Sequence, residues 1–191
     1  VGICEVHSAI AEIYQTQTEY DQVLFHLEEA LKHTDMTKPT PRIAAINRLM
    51  GQAYIHLGNY DESLVKLTKA LQIAQTIEHL DEMANCQKTI AQTLRRLGKR
   101  QDSIKHCQEA IKLYRQIGNK RGEANALRNL AIDHQRLSQL SEASYCLHEA
   151  SNIATHLGDT VLLSKTQMDL GSISFLQSDF KQAEIQWLSA L

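Results

Sequence analysis

Between Met50 and Leu57, apolar and small residues stand at Met50, Gly51, Tyr54 and Leu57, the i, i+1, i+4, i+7 spacing of one helix face. After Gly58-Asn59, a second stripe runs through Tyr60, Ser63, Leu64, Leu67, Ala70, Leu71 and Ala74. That spacing again describes an amphipathic helix burying one side. Two helices joined by a tight turn are therefore predicted, with Gly58 as the left-handed residue that ends the first. Asn59 and Glu62 resemble an N-cap and its N3 acid, and Asp102, Glu142 and Gln182 hold the same N3 place.

The unit recurs at a period of forty residues. Ala30, Ala70, Ala110, Ala150 and Ala190 fall in one column, and Ile10, Met50, Ile90, Leu130 and Leu170 in another. The latter are followed by Ala11, Gly51, Ala91, Ala131 and Gly171, small each time. Gly98 repeats the Gly58 turn, and Gly118-Asn119 and Gly158-Asp159 mark a second turn between units. In the first unit Thr40 caps and Pro41 starts the helix instead. The predicted helices are 3–17, 21–33, 41–57, 60–76, 80–97, 100–117, 121–137 and 140–157, then a shortened pair at 160–177 and from 180 onward.

One such hairpin cannot bury both its stripes, but stacked hairpins can. The fold class expected is all-α: a right-handed α-solenoid of antiparallel helix pairs, about four and a half repeats. The repeats are placed at 1–40, 41–79, 80–119, 120–159 and 160–191. A chain opening on Val1 and closing on "QWLSAL" reads as an excerpt of a longer protein.

The stretch "GQAYIHLGNYDESLVKLTKAL", Gly51 to Leu71, resembles the tetratricopeptide repeat in its order of small residue, Tyr, Gly, Tyr, small residue and Ala-Leu. That family has a usual period of about 34 residues. The six extra residues here are close to two helical turns of about 3.6 residues each, so both helices lengthen with their buried faces in phase. Such long repeats resemble those of bacterial signalling and regulatory proteins and of animal polarity adaptors. Leu94, His134 and Ser174 stand where the family places an aromatic residue, and the usual Pro after the second helix is missing.

The resemblance implies a groove lined by the first helix of each pair, receiving a peptide or helix of a partner protein or of another domain of the same chain. With Met50, Gly51 and Tyr54 committed to the core, Arg48, Gln52 and Ile55 form a separate stripe. The same columns give Lys88, Gln92 and Arg95, then Arg128, Ile132 and Gln135, with Asn85, Asn125 and Asn129 beside them. Cations bind carboxylates, and side-chain amides pair with both donors and acceptors of an extended backbone. Arg48, Gln52, Asn85, Lys88, Gln92, Arg95, Asn125, Arg128 and Asn129 are thus the candidate groove residues, and an acidic or C-terminal segment is the candidate ligand. Charge reversal at Lys88 and Arg128 is expected to weaken capture without changing melting. The alternative reading is a sensor array that binds a signal peptide and controls an effector domain elsewhere in a larger regulator.

The remaining chemistry is sparse. Net charge is −2, with 22% charged residues, which speaks against non-specific nucleic-acid binding. The cations of "TLRRLGKR" sit at a helix end, where the dipole favours them. None of the 9 histidines forms H-x-x-x-H or H-E-x-x-H, and no cofactor or metal is expected. No nucleophile motif or phosphate-binding Gly loop is present, so the reading is binding without catalysis. Trp187 falls at a core column. The 4 cysteines lack paired spacing and read as buried thiols in a cytoplasmic setting. No apolar run reaches the roughly eighteen residues of a membrane span, and neither leader nor membrane partner is expected. The apolar end of the array is a candidate for self-association.

Overall fold

The computed structural model describes residues 2–35 and 37–190. Among them are ten helices and no strand: α1 (Ile3–Thr16), α2 (Tyr20–Lys32), α3 (Pro41–Leu57), α4 (Tyr60–Thr76), α5 (Leu80–Arg96), α6 (Arg100–Gln116), α7 (Lys120–Arg136), α8 (Leu140–Leu157), α9 (Thr160–Leu176) and α10 (Phe180–Leu188). Predicted and observed ends agree within a residue for α1–α9. The final pair completes five, in a solenoid arrangement of helices packed pairwise in sequence. The chain divides into two compact units, Val1–Gly98 and Lys99–Leu191.

Each helix turns its apolar stripe onto its neighbours. Within the first unit, Val23, Leu27 and Ala30 of α2 pack with Ile46, Met50 and Ala53 of α3, and Leu67 of α4 packs with Ile90 and Leu94 of α5. Ala30, Ala70, Ala110 and Ala150 are fully buried. The small column of the first helices also has a spatial cause. A Cβ on Gly51 would lie 2.6 Å from Leu67 Cγ, and one on Gly171 would run into the Trp187 indole. Trp187 is therefore a packing residue whose ring requires a glycine opposite it, and its Nε1–H donates to the Met168 carbonyl at 3.3 Å.

Outside the longer connection between α2 and α3, the turns return every twenty residues with one left-handed residue each. Gly58, Gly98, Gly118 and Gly158 have positive φ, as the sequence suggests, but so do Thr18, Glu78, Ser138 and Ser178. The packing of the flanking helices imposes that conformation on residues that disfavour it. Caps also differ in part from expectation. Thr40, Asn119 and Asp159 accept from the N–H groups of Ile43, Gly122 and Leu162. Asn59 makes no side-chain cap bond.

A polar contact lies inside two of the helix junctions. Ser63 of α4 meets Thr93 of α5, Oγ to Oγ1 at 3.1 Å, and both are fully buried. Forty residues on, Ser103 of α6 donates to Asp133 of α7 at 2.5 Å, again fully buried. The same two positions are Val23 and Ala53 one unit earlier, and Ala143 and Ile173 one unit later, all buried.

Candidate functional site in the first unit

The nine candidate residues lie on the first helices of their pairs, as predicted, but they do not play one role. Arg48 of α3 donates from Nε to Glu82 Oε1 of α5 at 2.5 Å, with the side chains only 17% and 9% exposed. Arg128 of α7 donates from Nε and Nη2 to Asp169 Oδ2 of α9, at 2.9 and 2.6 Å. These cations tie one first helix to the next. Reversal of Arg128 therefore acts on stability as well as on any ligand, contrary to the expectation from sequence. Asn85 and Asn125 turn back on their own helices, onto Asp81 Oδ2 at 3.1 Å and the Arg121 carbonyl at 2.8 Å. Asn129 is half-buried on α7.

Lys88 is half-buried on α5. Burial pushes its ammonium below the ordinary lysine range, and the like charge of Arg48 adds to that, while Asp81 and Glu82 oppose it. Lysine here belongs to the charged cluster that joins α3 to α5.

Three candidates do converge on open space. Gln52, Gln92 and Arg95, with Gln15, Ile55, His56 and Arg96, line a groove of about 350 Å³. Its walls are the last turns of α1, α3 and α5, all within the first unit. The repeat explains the arrangement: Gln15, Ile55 and Arg95 occupy one forty-residue column, and His56 and Arg96 the next. Gln15, His56 and Arg96 escaped the sequence reading, which did not carry the stripe back into the first unit or to the following column. His56 is held at the edge by face-to-face stacking on Tyr20, ring centroids 4.3 Å apart. The two arginines stand in the last turn of α5, where the helix dipole favours a cation.

The chemistry of this lining is specific. Three primary amides offer both donors and acceptors, which is what a peptide backbone requires. Two guanidiniums offer charge-assisted bonds to carboxylates, and Ile55 offers an apolar contact. By contrast, several histidines are engaged in local bonds: His79 accepts from the Glu82 N–H, His134 meets Gln139, and His156 meets the Asn152 carbonyl. Among the described residues no group of three or more His, Cys, Asp or Glu is placed to hold a metal ion. All four cysteines are buried and none is in a disulfide. No helix among the described residues is long and apolar enough to cross a membrane.

Comparison with known proteins agrees with this architecture. The chain is similar in structure to BtubC (BKLC) from P. vanneervenii, with a TM-score of 0.85 at 21% identity over 97% of this chain and 77% of that one. It is similar to a Rap protein complexed with competence and sporulation factor, TM-score 0.86 at 16% identity, over 98% of this chain and 53% of that one. A third similar structure is a signal transduction ATPase with numerous domains, carrying a tetratricopeptide repeat sensor, from Pyrococcus horikoshii. There the TM-score is 0.85 at 17% identity, over 96% of this chain and 28% of that one. At these identities the likeness is one of fold, and the chain spans about half of the Rap protein and less of the ATPase. No curated protein matches the chain significantly in sequence. The tetratricopeptide repeat model matches residues 42–116 and 82–156, more than half of the chain. With five helix pairs at a forty-residue period and this match, the chain belongs to the tetratricopeptide repeat family.

Proposed function

We propose that the first unit captures a peptide segment of a protein partner, or of another domain of its own chain, in the groove at the ends of α1, α3 and α5. The observation that carries this reading is the convergence of Gln15, Gln52 and Gln92 with Arg95 and Arg96 around one open volume. The glutamines bond the peptide backbone, and the arginines select an acidic side chain or a terminal carboxylate. Arg48 and Arg128 hold neighbouring first helices in register and so shape the surface rather than contact the ligand. The role is binding without catalysis; tetratricopeptide repeat domains are typically non-catalytic.

The test is a peptide array of acidic, neutral and basic segments, each with a free or amidated C-terminus, probed with the chain and with Gln92→Ala and Arg96→Glu variants. Acidic or free-carboxylate peptides are expected to be retained by the parent and lost by both variants. Equal retention by parent and variants would refute the groove. A second reading, a sensor array within a larger regulator, is favoured by the similarity to the sensor-bearing ATPase. It requires that a groove peptide change the output of an effector domain in the full-length protein. Self-association rests on Phe175, Leu176, Phe180, Ile185 and Leu188, all exposed on the last pair. A sedimentation coefficient independent of concentration would remove it.

A further inference from the structure

The second unit carries an open apolar feature on the second helices of its pairs. A cavity of about 360 Å³ lies between α6 and α8, over α7. Ile111, Leu127 and Leu130 form its floor, Lys112 and Arg115 one wall, and Tyr145 the other. Tyr145 is 64% exposed, and its ring offers a partner an apolar body with a polar tip. A second cavity of about 470 Å³ continues along α8 past Glu149, against Ile153, His156 and Leu157. From Tyr145 to Leu157 the edge is about 18 Å long at about 1.5 Å per residue. That is three turns of a docked helix.

The walls differ in charge. On α6, Lys105, Lys112 and Arg115 recur at i, i+7 and i+10, one side of the helix. Lys120 extends that edge at the start of α7, where Glu123 also lines the cavity and holds Lys120 at 2.9 Å and Arg115 at 2.6 Å, so the cations open to exchange are Lys105 and Lys112. Among the described residues, Lys105 and Lys112 form exposed i, i+3 contacts to Asp102 and Glu109, at 2.9 and 3.7 Å. Pairs of that kind contribute little and exchange readily for a better partner. The acid lining both cavities is Glu149, whose contact with Arg115 is a long 3.4 Å. The opposite wall, on α8, presents Tyr145, Asn152 and His156 with that one acid between them.

We infer that this groove is a second docking site, and that its occupant is an amphipathic helix of a partner protein, with an apolar face toward Tyr145 and the floor and acidic residues along the flank that meets α6. An extended peptide is a poorer fit, because the walls are two second helices of successive pairs with an apolar floor and no ladder of amides. This is helix-in-groove recognition, on helices other than those that line the peptide groove.

The test uses two synthetic helical peptides with one shared apolar face, one with Glu and one with Lys along the flank. Binding to the whole chain is read by fluorescence anisotropy at low ionic strength. The Glu peptide is expected to bind about tenfold more tightly than the Lys peptide. Tyr145→Ser should weaken it about tenfold or more. Lys112→Glu should weaken the Glu peptide and strengthen the Lys peptide by several fold. Arg95→Glu, in the first unit, should change neither. Circular dichroism and melting report folding. If Tyr145→Ser lowers the melting temperature, the reversal of preference at Lys112, whose side chain is 73% exposed, decides alone. Equal affinity for the two peptides, or loss of binding with Arg95→Glu in place of the second-unit variants, would overturn the assignment.

Discussion

Arg128 is the residue at which structure and sequence lead to opposite experiments. Its guanidinium donates twice to one oxygen of Asp169, and the two side chains are 19% and 30% exposed. Hydrogen bonds between charged groups contribute about 1.5–3 kcal/mol each in favourable geometry. Two bonds sharing one acceptor and reached by some solvent are worth about 2 kcal/mol together on that scale. Arg128→Met should therefore destabilise the second unit by about 2 kcal/mol, and Arg128→Glu by about 3, since repulsion from Asp169 is added. With an unfolding entropy of about 2.1 cal/mol/K per residue, the Met variant melts about 5 °C lower if the chain unfolds as one body. If the second unit unfolds by itself, the fall is about 10 °C. Urea titration followed by circular dichroism, in a cycle of Arg128→Met, Asp169→Leu and the double variant, isolates the coupling. A coupling below about 0.5 kcal/mol would refute the reasoning, because a pair so weak would leave the guanidinium available to a ligand.

Other expectations follow from turns, thiols and acids. Ser138→Gly and Glu78→Gly should each stabilise by about 0.5–1 kcal/mol, since glycine removes a left-handed cost of about 1–2 kcal/mol and adds back some unfolded-state entropy; both positions have positive φ, and thermal melts read the gain. Burial pushes the Cys86 thiol up to about 12 and the Cys146 thiol up to about 11, with the nearby acids Glu82 and Glu149 adding to it. Both should resist iodoacetamide in the native chain at mildly alkaline pH and react only in denaturant, as mass spectrometry will show. Burial alone would raise the Glu123 carboxyl, but Arg115 and Lys120, at 2.6 and 2.9 Å, outweigh it and hold it below the ordinary glutamate range. The stability it contributes is thus complete above the unfolded value of about 4.3 and is lost as pH falls through the lower folded value. Glu123→Gln should flatten that acid transition in pH-dependent urea unfolding.

Period and phase were legible in the residues because burial writes itself into every column: Ala30, Ala70, Ala110 and Ala150 are inaccessible as the stripe requires. Turn chemistry was legible only where glycine announced it. Thr18, Glu78, Ser138 and Ser178 adopt the same backbone because helix packing overrides their local preference. The groove was half legible. Gln52, Gln92 and Arg95 follow from helical spacing, whereas the partners that engage Arg48 and Arg128 stand 34 and 41 residues away, at no multiple of the repeat. A side chain's reach across a helix pair is set by rotamer and tilt, which a column of letters does not encode.

The buried contacts of Ser63 with Thr93 and of Ser103 with Asp133 give each joint its own identity. Whole-unit excision therefore carries unequal consequences. Removing 80–119 would place Asp133 beside Ser63, which can still donate to it. Removing 40–79 would set the Thr93 hydroxyl against Val23, and removing 120–159 would bring Ser103 against Ile173. Unequal recombination within such a gene would meet a tolerant splice at one joint and mismatched ones at the others, so the length of the array is constrained by chemistry hidden between its members.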